Sequence, residues 1–220
     1  GTTDHFDLHY RDILIIKLDE NLEEMWRVIY DGYKDEFCRD AIQTADGSFL
    51  IACLGDDWSA KYGGTSFLIK VDPDGEILWV QDYFADSFIQ IFRVFELNDN
   101  TIALLRDDGW SLPSTFLTSA GEIVSERIYL DHYKIFDILY TADNTFIVAC
   151  NTNDDMGLRV IEFTLDEERI FNTVVGDSIR GDPLPKLSQY DDGFSLSAIN
   201  TAAPYGKFVN FDSMSQLEWR

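Results

Sequence analysis

The chain has 220 residues, of which 45% are hydrophobic, and this is enough apolar material for one well-buried domain without a linker. Its 40 Asp and Glu residues outnumber its 17 Lys and Arg residues, and the formal charge of −23 repels phosphate backbones and anionic lipid headgroups. We therefore expect no nucleic-acid partner. The longest apolar run, Phe49 to Leu54, is too short for a membrane helix, so we expect no membrane insertion.

The chain starts with Gly1 rather than with Met or an apolar leader, which predicts a processed or trimmed product. It contains three cysteines, which cannot all pair with one another: Cys38, Cys53 and Cys150. Cys53 and Cys150 occupy matching positions of two different repeats, whereas Cys38 and Cys53 flank one hairpin. The simplest expectation for all three is a small buried apolar side chain.

One unit recurs along the chain: an apolar strand, a turn rich in Asp or Gly, a second strand and a bulky residue. Its five copies run over 15–26, 67–79, 115–125, 161–171 and 208–219. Equivalent turn positions lie 46 to 53 residues apart: Asp19, Asp72, Thr118, Thr164 and Asp212. A period in this range, built from short strands, is typical of a β-propeller, in which each unit must stack on its neighbours to bury its faces.

A second type of hairpin lies between these copies. Its turns are 45–47, 98–100, 142–144 and 191–193, and each contains Asp followed by Gly or Asn. These residue pairs supply the positive φ that tight hairpin turns need. Each complete unit therefore contains four antiparallel strands.

We predict an all-β fold: a β-propeller of four-stranded antiparallel blades, formed as one domain over residues 1–220. The complete blades are expected at about 36–85, 88–131, 134–176 and 184–220. Residues 1–32 supply a partial first blade, with 5–10 as one of its strands, so we favour five blades with the first incomplete. The alternative is four blades with an N-terminal hairpin as an appendage, since an open first blade would leave an unprotected strand edge.

Four positions of the second repeat form a Lys-x-Asp-x-x-Gly-x-x-x-Trp signature: Lys70, Asp72, Gly75 and Trp79. The first repeat keeps three of these positions and has Leu22 in the glycine position: Lys17, Asp19 and Trp26. The chain resembles bacterial secreted or cell-surface β-propellers that carry this signature. The resemblance implies an extracellular, periplasmic or cell-surface location, but it does not imply any one activity.

The first strand of each complete blade carries a charge six residues before its turn Asp. The signs alternate: Asp40, Arg93, Asp137 and Lys186. Because a lone buried charge is costly, we interpret these four residues as ion pairs between neighbouring blades near the central channel. The other interpretation is a polar channel mouth that contacts a ligand.

The loops between the second and third strands carry a second recurrence, Asp-Asp followed by an aromatic or apolar residue. Together with two tyrosines they form a predicted recognition face: Asp56, Asp57, Trp58, Tyr62, Asp107, Asp108, Trp110, Asp154, Asp155 and Tyr205. Aspartate is also simply a good loop residue. Exposed aromatics beside carboxylates nevertheless suit sugar rings or the Lys and Arg side chains of a partner protein.

The sequence contains no Gly-x-Ser-x-Gly elbow, His-Glu-x-x-His helix or phosphate-binding glycine loop, and no cofactor or metal site is expected. Glycoside hydrolysis remains as an enzyme alternative, with Asp40, Glu96 and Asp137 as channel-mouth carboxylates. Arg93 and Lys186 would keep these carboxylates ionised, which suits a general acid poorly. We therefore predict a non-catalytic binding or scaffold propeller that recognises a glycan or an envelope protein.

Overall fold

The structure is a computed structural model. It describes residues 2–4, 11–32, 35–56, 64–84, 90–109, 111–152, 157–166, 169–176, 185–190, 193–199, 206–212 and 217–218. Every regular element in these ranges is a β-strand, which confirms the predicted all-β class. No helix in the described ranges is long and apolar enough to cross a membrane.

The first sheet contains the seven strands from the N-terminal third of the chain: β1 (Thr2–Asp4), β2 (Arg11–Leu18), β3 (Glu24–Tyr30), β4 (Asp35–Gln43), β5 (Phe49–Asp56), β6 (Thr65–Val71) and β7 (Ile77–Phe84). Its order is β1-β2-β4-β5-β6-β7, and β3 also pairs with β2. A single parallel pairing, between Arg11 and Asp35, joins β2 to β4. The predicted strand at 5–10 lies outside the described residues, and β1 pairs with β2 instead.

Three further sheets each contain four consecutive antiparallel strands. They comprise β8 (Gln90–Glu96), β9 (Ile102–Asp107), β10 (Ser111–Leu117) and β11 (Ile123–Asp131); β12 (Tyr133–Tyr140), β13 (Thr145–Thr152), β14 (Leu158–Thr164) and β15 (Arg169–Gly176); and β16 (Lys186–Tyr190), β17 (Gly193–Ile199), β18 (Gly206–Asp212) and β19 (Leu217–Glu218). Within each sheet the strands pair in chain order.

The chain divides into two compact units, residues 1–108 with 113–127, and residues 109–112 with 128–220. Each unit has its own apolar core. One core cluster of the first unit consists of Leu50, Ala52, Leu68, Val94, Ile102, Leu104 and Leu117. One core cluster of the second unit consists of Ile147, Ala149, Leu158, Val160, Leu187, Phe194 and Leu196. That residues 1–220 form one domain remains a prediction.

The turns adopt the backbone conformations that their residues predict. Gly47, Asn100 and Asn144 have φ values of 82°, 63° and 61° in the β4–β5, β8–β9 and β12–β13 hairpins. In the repeat hairpins Gly75 has a φ of 96°. Leu22, which occupies the equivalent position of the first repeat, has a φ of 65°, although a side chain at Cβ makes this region unfavourable.

The β4–β5, β8–β9 and β12–β13 hairpins each contain an irregularity that the sequence pattern does not reveal. The register shifts between Cys38 and Asp40, between Ile91 and Arg93, and between Ile135 and Asp137. A bulge of this kind adds one residue to a strand and re-aims the side chains that follow it. Each of these three charged positions therefore comes directly after a bulge.

Candidate functional site

The two acidic members of the predicted charge ring bind backbone amides of the next sheet. Oδ2 of Asp40 accepts a hydrogen bond from the backbone N–H of Val94 at 3.0 Å. In the same way, Oδ2 of Asp137 accepts from the backbone N–H of Leu187 at 2.8 Å. Because each amide belongs to the first strand of the following sheet, these carboxylates fix the position of one sheet against the next.

Asp137 also contacts the basic residue of its neighbouring sheet. Its Oδ2 lies 3.6 Å from Nζ of Lys186. The Asp137 side chain is only 3% exposed, while that of Lys186 is 63% exposed. The buried carboxylate therefore has both an amide and an ammonium partner, as a buried charge requires. Arg93 is half-buried in β8. The alternating ring as a whole remains a prediction.

Glu96, the third carboxylate considered for glycoside chemistry, contacts the backbone as well. Its Oε2 accepts a hydrogen bond from the N–H of Ala45 at 2.6 Å, in the β4–β5 turn of the preceding sheet. Asp40, Glu96 and Asp137 therefore share one role, because each accepts an N–H from a neighbouring sheet. Carboxylates held in this way are positioned as structural acceptors rather than as an acid and base pair.

Most of the predicted recognition face falls outside the described residues: Asp57, Trp58, Tyr62, Trp110, Asp154, Asp155 and Tyr205. The backbones of Asp56 and Asp107 end β5 and β9. Asp108 is half-buried directly after β9, where its charge interacts with Arg106. The recognition face therefore remains a prediction.

Arg106 is a buried cation near the end of β9. Its Nη2 lies 3.3 Å from Oε1 of Glu126, which also accepts a hydrogen bond from Oγ1 of Thr115 at 3.1 Å. Burial lowers the pKa of the Arg106 guanidinium, while Glu126 and Asp108 oppose that shift. These carboxylates compensate a cation that would otherwise be costly to bury.

An unpredicted set of contacts joins aromatic side chains to the turn of the following repeat hairpin. Nε1 of Trp26 donates to the carbonyl oxygen of Pro73 at 2.9 Å, and the hydroxyl of Tyr83 donates to that of Gly121 at 2.8 Å. The hydroxyl of Tyr129 donates to the carbonyl oxygen of Leu165 at 2.8 Å. A signal was present in the sequence, because Tyr83 and Tyr129 occupy the same position of their repeats.

Among the described residues, no three His, Cys, Asp or Glu side chains form a group that could hold a metal ion. The described carboxylates named above are bound to backbone amides, to cations or to both. The described part of the chain therefore contributes polar contacts within sheets and between them.

No protein-family profile matches this sequence. A curated protein, "Probable carboxypeptidase 2" of Trichophyton verrucosum, is 25% identical over 159 residues, which cover 67% of this chain and 29% of that protein. A puromycin-hydrolyzing peptidase of Mycobacterium tuberculosis has a similar structure, with a TM-score of 0.65 and 12% identity over 94% of this chain and 32% of the peptidase. A puromycin hydrolase has a TM-score of 0.60 and 12% identity, over 91% of this chain and 30% of the hydrolase.

These similarities support a propeller-like fold and correct the predicted function. The expectation of a non-catalytic binding or scaffold propeller was wrong, and so was the alternative of a glycoside hydrolase, because the similar proteins are peptidases. The chain spans about a third or less of the length of each of these peptidases. None of the catalytic motifs named above occurs in the 220 residues, and the sequence therefore did not indicate peptide hydrolysis.

Proposed function

We propose that this chain is the propeller part of a peptide hydrolase. The observation that carries the proposal is the sequence match to a carboxypeptidase, since it exceeds the identity of the structural matches. The structural similarity to two puromycin-hydrolysing enzymes supports it independently. Because the match covers 29% of the carboxypeptidase, the chemistry is expected to need residues of a longer polypeptide.

Charge suggests which peptides such an enzyme would favour. The chain has a formal charge of −23, so its field attracts cations and repels anions. A propeller with this charge would raise the local concentration of peptides rich in Lys or Arg and would disfavour acidic ones. This form of selection acts mainly on the association rate and weakens as ionic strength rises.

The proposal is tested with the longer polypeptide that it implies and with the 220-residue chain alone. Both are assayed on matched basic, neutral and acidic fluorogenic peptides, with free and blocked termini, and on puromycin. We expect hydrolysis by the longer polypeptide, with a higher kcat/KM for basic peptides at low salt. A folded longer polypeptide that hydrolyses none of these substrates would overturn the proposal. Hydrolysis without any charge preference would overturn only the role of charge.

We also propose that the propeller has five blades, the first formed by β1, β2 and β3. Support comes from Trp26 of β3, which lies on the turn at Pro73 as Tyr83 of β7 lies on the turn at Gly121. This shared type of contact supports counting the N-terminal hairpin as a blade rather than as an appendage to four blades. Deleting residues 1–32 should lower Tm by roughly 10 °C or more, and an unchanged Tm would favour the appendage. The bacterial secreted-propeller resemblance and the envelope location remain predictions.

A further inference from the structure

Two cysteines face each other on neighbouring strands of the first sheet. Cys38 of β4 and Cys53 of β5 are direct partners in the antiparallel register. Directly opposed residues of antiparallel strands have Cα atoms about 4.5 or 5.5 Å apart. Both values lie within the range of about 4.4–6.8 Å that disulfide bonds span. The backbone therefore holds this pair at bridging distance without any rearrangement of the strands.

The same position of another sheet shows that a cysteine pair is not needed for packing. In the third sheet Cys150 faces Ile135, and the register shifts after Ile135 as it does after Cys38. Ile135 is 3% exposed and Cys150 is fully buried. An apolar residue therefore fills this position well. The first sheet has Cys38 at the equivalent position, directly opposite the thiol of Cys53.

The two thiols differ in exposure and in acidity. Cys38 is half-buried, whereas Cys53 is fully buried and its Sγ lies 3.6 Å from the carbonyl oxygen of Ile51. A hydrogen bond from the Cys53 thiol lowers the pKa of Cys38 to about 7, and burial raises the pKa of Cys53. A thiol whose pKa is near neutral is the better attacking group in thiol–disulfide exchange. Cys38 is therefore suited to react first.

We infer that Cys38 and Cys53 form a reactive dithiol, which low-molecular-weight disulfides oxidise to a cross-strand disulfide. The thiolate of Cys38 attacks one sulfur of the disulfide, forms a mixed disulfide and releases one small thiol. Sγ of Cys53, after losing its proton to water, then attacks Sγ of Cys38 and releases the second small thiol. The two protein thiols are oxidised, and one small disulfide is reduced to two thiols. This modification site is independent of the proposed peptidase role.

The test uses the folded, reduced 220-residue chain and oxidised glutathione. After incubation the protein is denatured, alkylated with iodoacetamide and analysed by mass spectrometry before and after proteolysis. We expect the number of alkylated cysteines to fall from three to one, with Cys150 the residue that stays labelled. A peptide pair joined through Cys38 and Cys53 should appear, and dithiothreitol should restore full labelling.

Three variants separate the proposed chemistry from general thiol oxidation. Cys38→Ile copies the third sheet and should keep Cys53 and Cys150 reduced, whereas Cys150→Ala should form the bridge as the parent does. Cys53→Ala should accumulate glutathione on Cys38. If that variant does not fold, Cys38→Ile and Cys150→Ala still test whether the bridge needs Cys38 and not Cys150. A folded parent that keeps three free thiols, or that retains glutathione on Cys38 without bridging, would overturn the inference.

Discussion

The β2–β3 and β6–β7 hairpins carry the same signature and build the same turn in different surroundings. In both turns the first Asp, Asp19 or Asp72, uses Oδ1 to accept the N–H groups of the residues two and four positions later, at 2.8 to 2.9 Å. Both turns also have a positive φ at the fourth position, which is Leu22 in one and Gly75 in the other. The two turns therefore have the same backbone conformation, whether the residue at the fourth position is leucine or glycine.

The difference between the hairpins lies in what covers the turn. A Cβ atom added to Gly75 would lie 2.8 Å from Cδ2 of Trp26, the aromatic residue of the preceding hairpin. Leu22, in contrast, is 78% exposed. The turn at Gly121 is covered in the same way, since a Cβ atom added to Gly121 would lie 2.9 Å from the hydroxyl of Tyr83. The glycine of the signature is thus required chiefly where the preceding repeat hairpin places an aromatic residue on the turn.

Gly75→Ala should give the largest effect, a loss of roughly 3 kcal/mol in the free energy of unfolding, because it adds both backbone strain and a steric clash. Urea unfolding measures this loss in the free energy of unfolding. Gly109→Ala is the matched control, since Gly109 has a φ of 82° and nothing within 4 Å of an added Cβ. Strain alone should cost that variant about 1 kcal/mol. Equal losses in the two variants would refute the steric role of Trp26.

Trp26→Ala should destabilise by about 2 kcal/mol, because it removes ring packing on Phe49 and the hydrogen bond to Pro73. A double-mutant cycle that combines Trp26→Ala with Gly75→Ala measures the interaction between the ring and the turn. Without the indole ring, the added methyl group should cost only its backbone strain, so the two losses should be less than additive. Full additivity would mean that the ring and the turn do not interact.

Local features of the fold could be predicted from the sequence, since they depend on neighbouring residues. The Asp-Gly and Asp-Asn turns at Gly47, Asn100 and Asn144 adopt the predicted backbone, and Leu22 was recognised as standing in a glycine position. The bulge that precedes Asp40 was not predicted, because it leaves no periodic signal over so few residues. The partner of that carboxylate, an amide 54 positions away, depends on how sheets stack.

The candidate site was less predictable than the fold for a physical reason. Asp40 and Asp137 were identified by their charge and position, but their main partners are backbone amides, which every residue except proline offers. Charge alternation alone could suggest Lys186 as a partner of Asp137 but could not suggest Leu187. The proposed peptidase role has no local motif in the sequence, and a fold does not specify its chemistry.

The lysine of the signature also differs between the hairpins. Nζ of Lys17 donates to the carbonyl oxygen of Pro73, whereas Nζ of the buried Lys70 lies 3.0 Å from Oδ2 of Asp46. Hydrogen bonds from Thr44, Ser48 and Lys70 hold the pKa of Asp46 well below its usual value. A carboxyl group with a depressed pKa stabilises the fold above about pH 4, and that contribution is lost as the pH falls further.

Asp46→Asn should therefore lower the free energy of unfolding by about 1 kcal/mol at pH 7, a modest amount because solvent screens this half-exposed carboxylate. The difference from the parent should shrink between pH 4 and pH 3, as urea titrations at several pH values would measure. Asp74→Asn, in an exposed turn position, is the control and should change the free energy of unfolding little at pH 7. A difference for Asp46→Asn that stays constant with pH would show that its charge is not involved.

Leu22→Gly should have the smallest effect and the opposite sign. Glycine adopts the φ of 65° found at this position without steric cost, while the exposed leucine side chain contributes little burial. Relief of the strain exceeds the extra entropy of the unfolded glycine, so the free energy of unfolding should rise by about 0.5–1 kcal/mol. Leu22→Ala, which keeps the Cβ and hence the strain, should leave it nearly unchanged. A loss of stability in Leu22→Gly would instead mean that the leucine packs against a covering partner, which would make the first turn equivalent to the second.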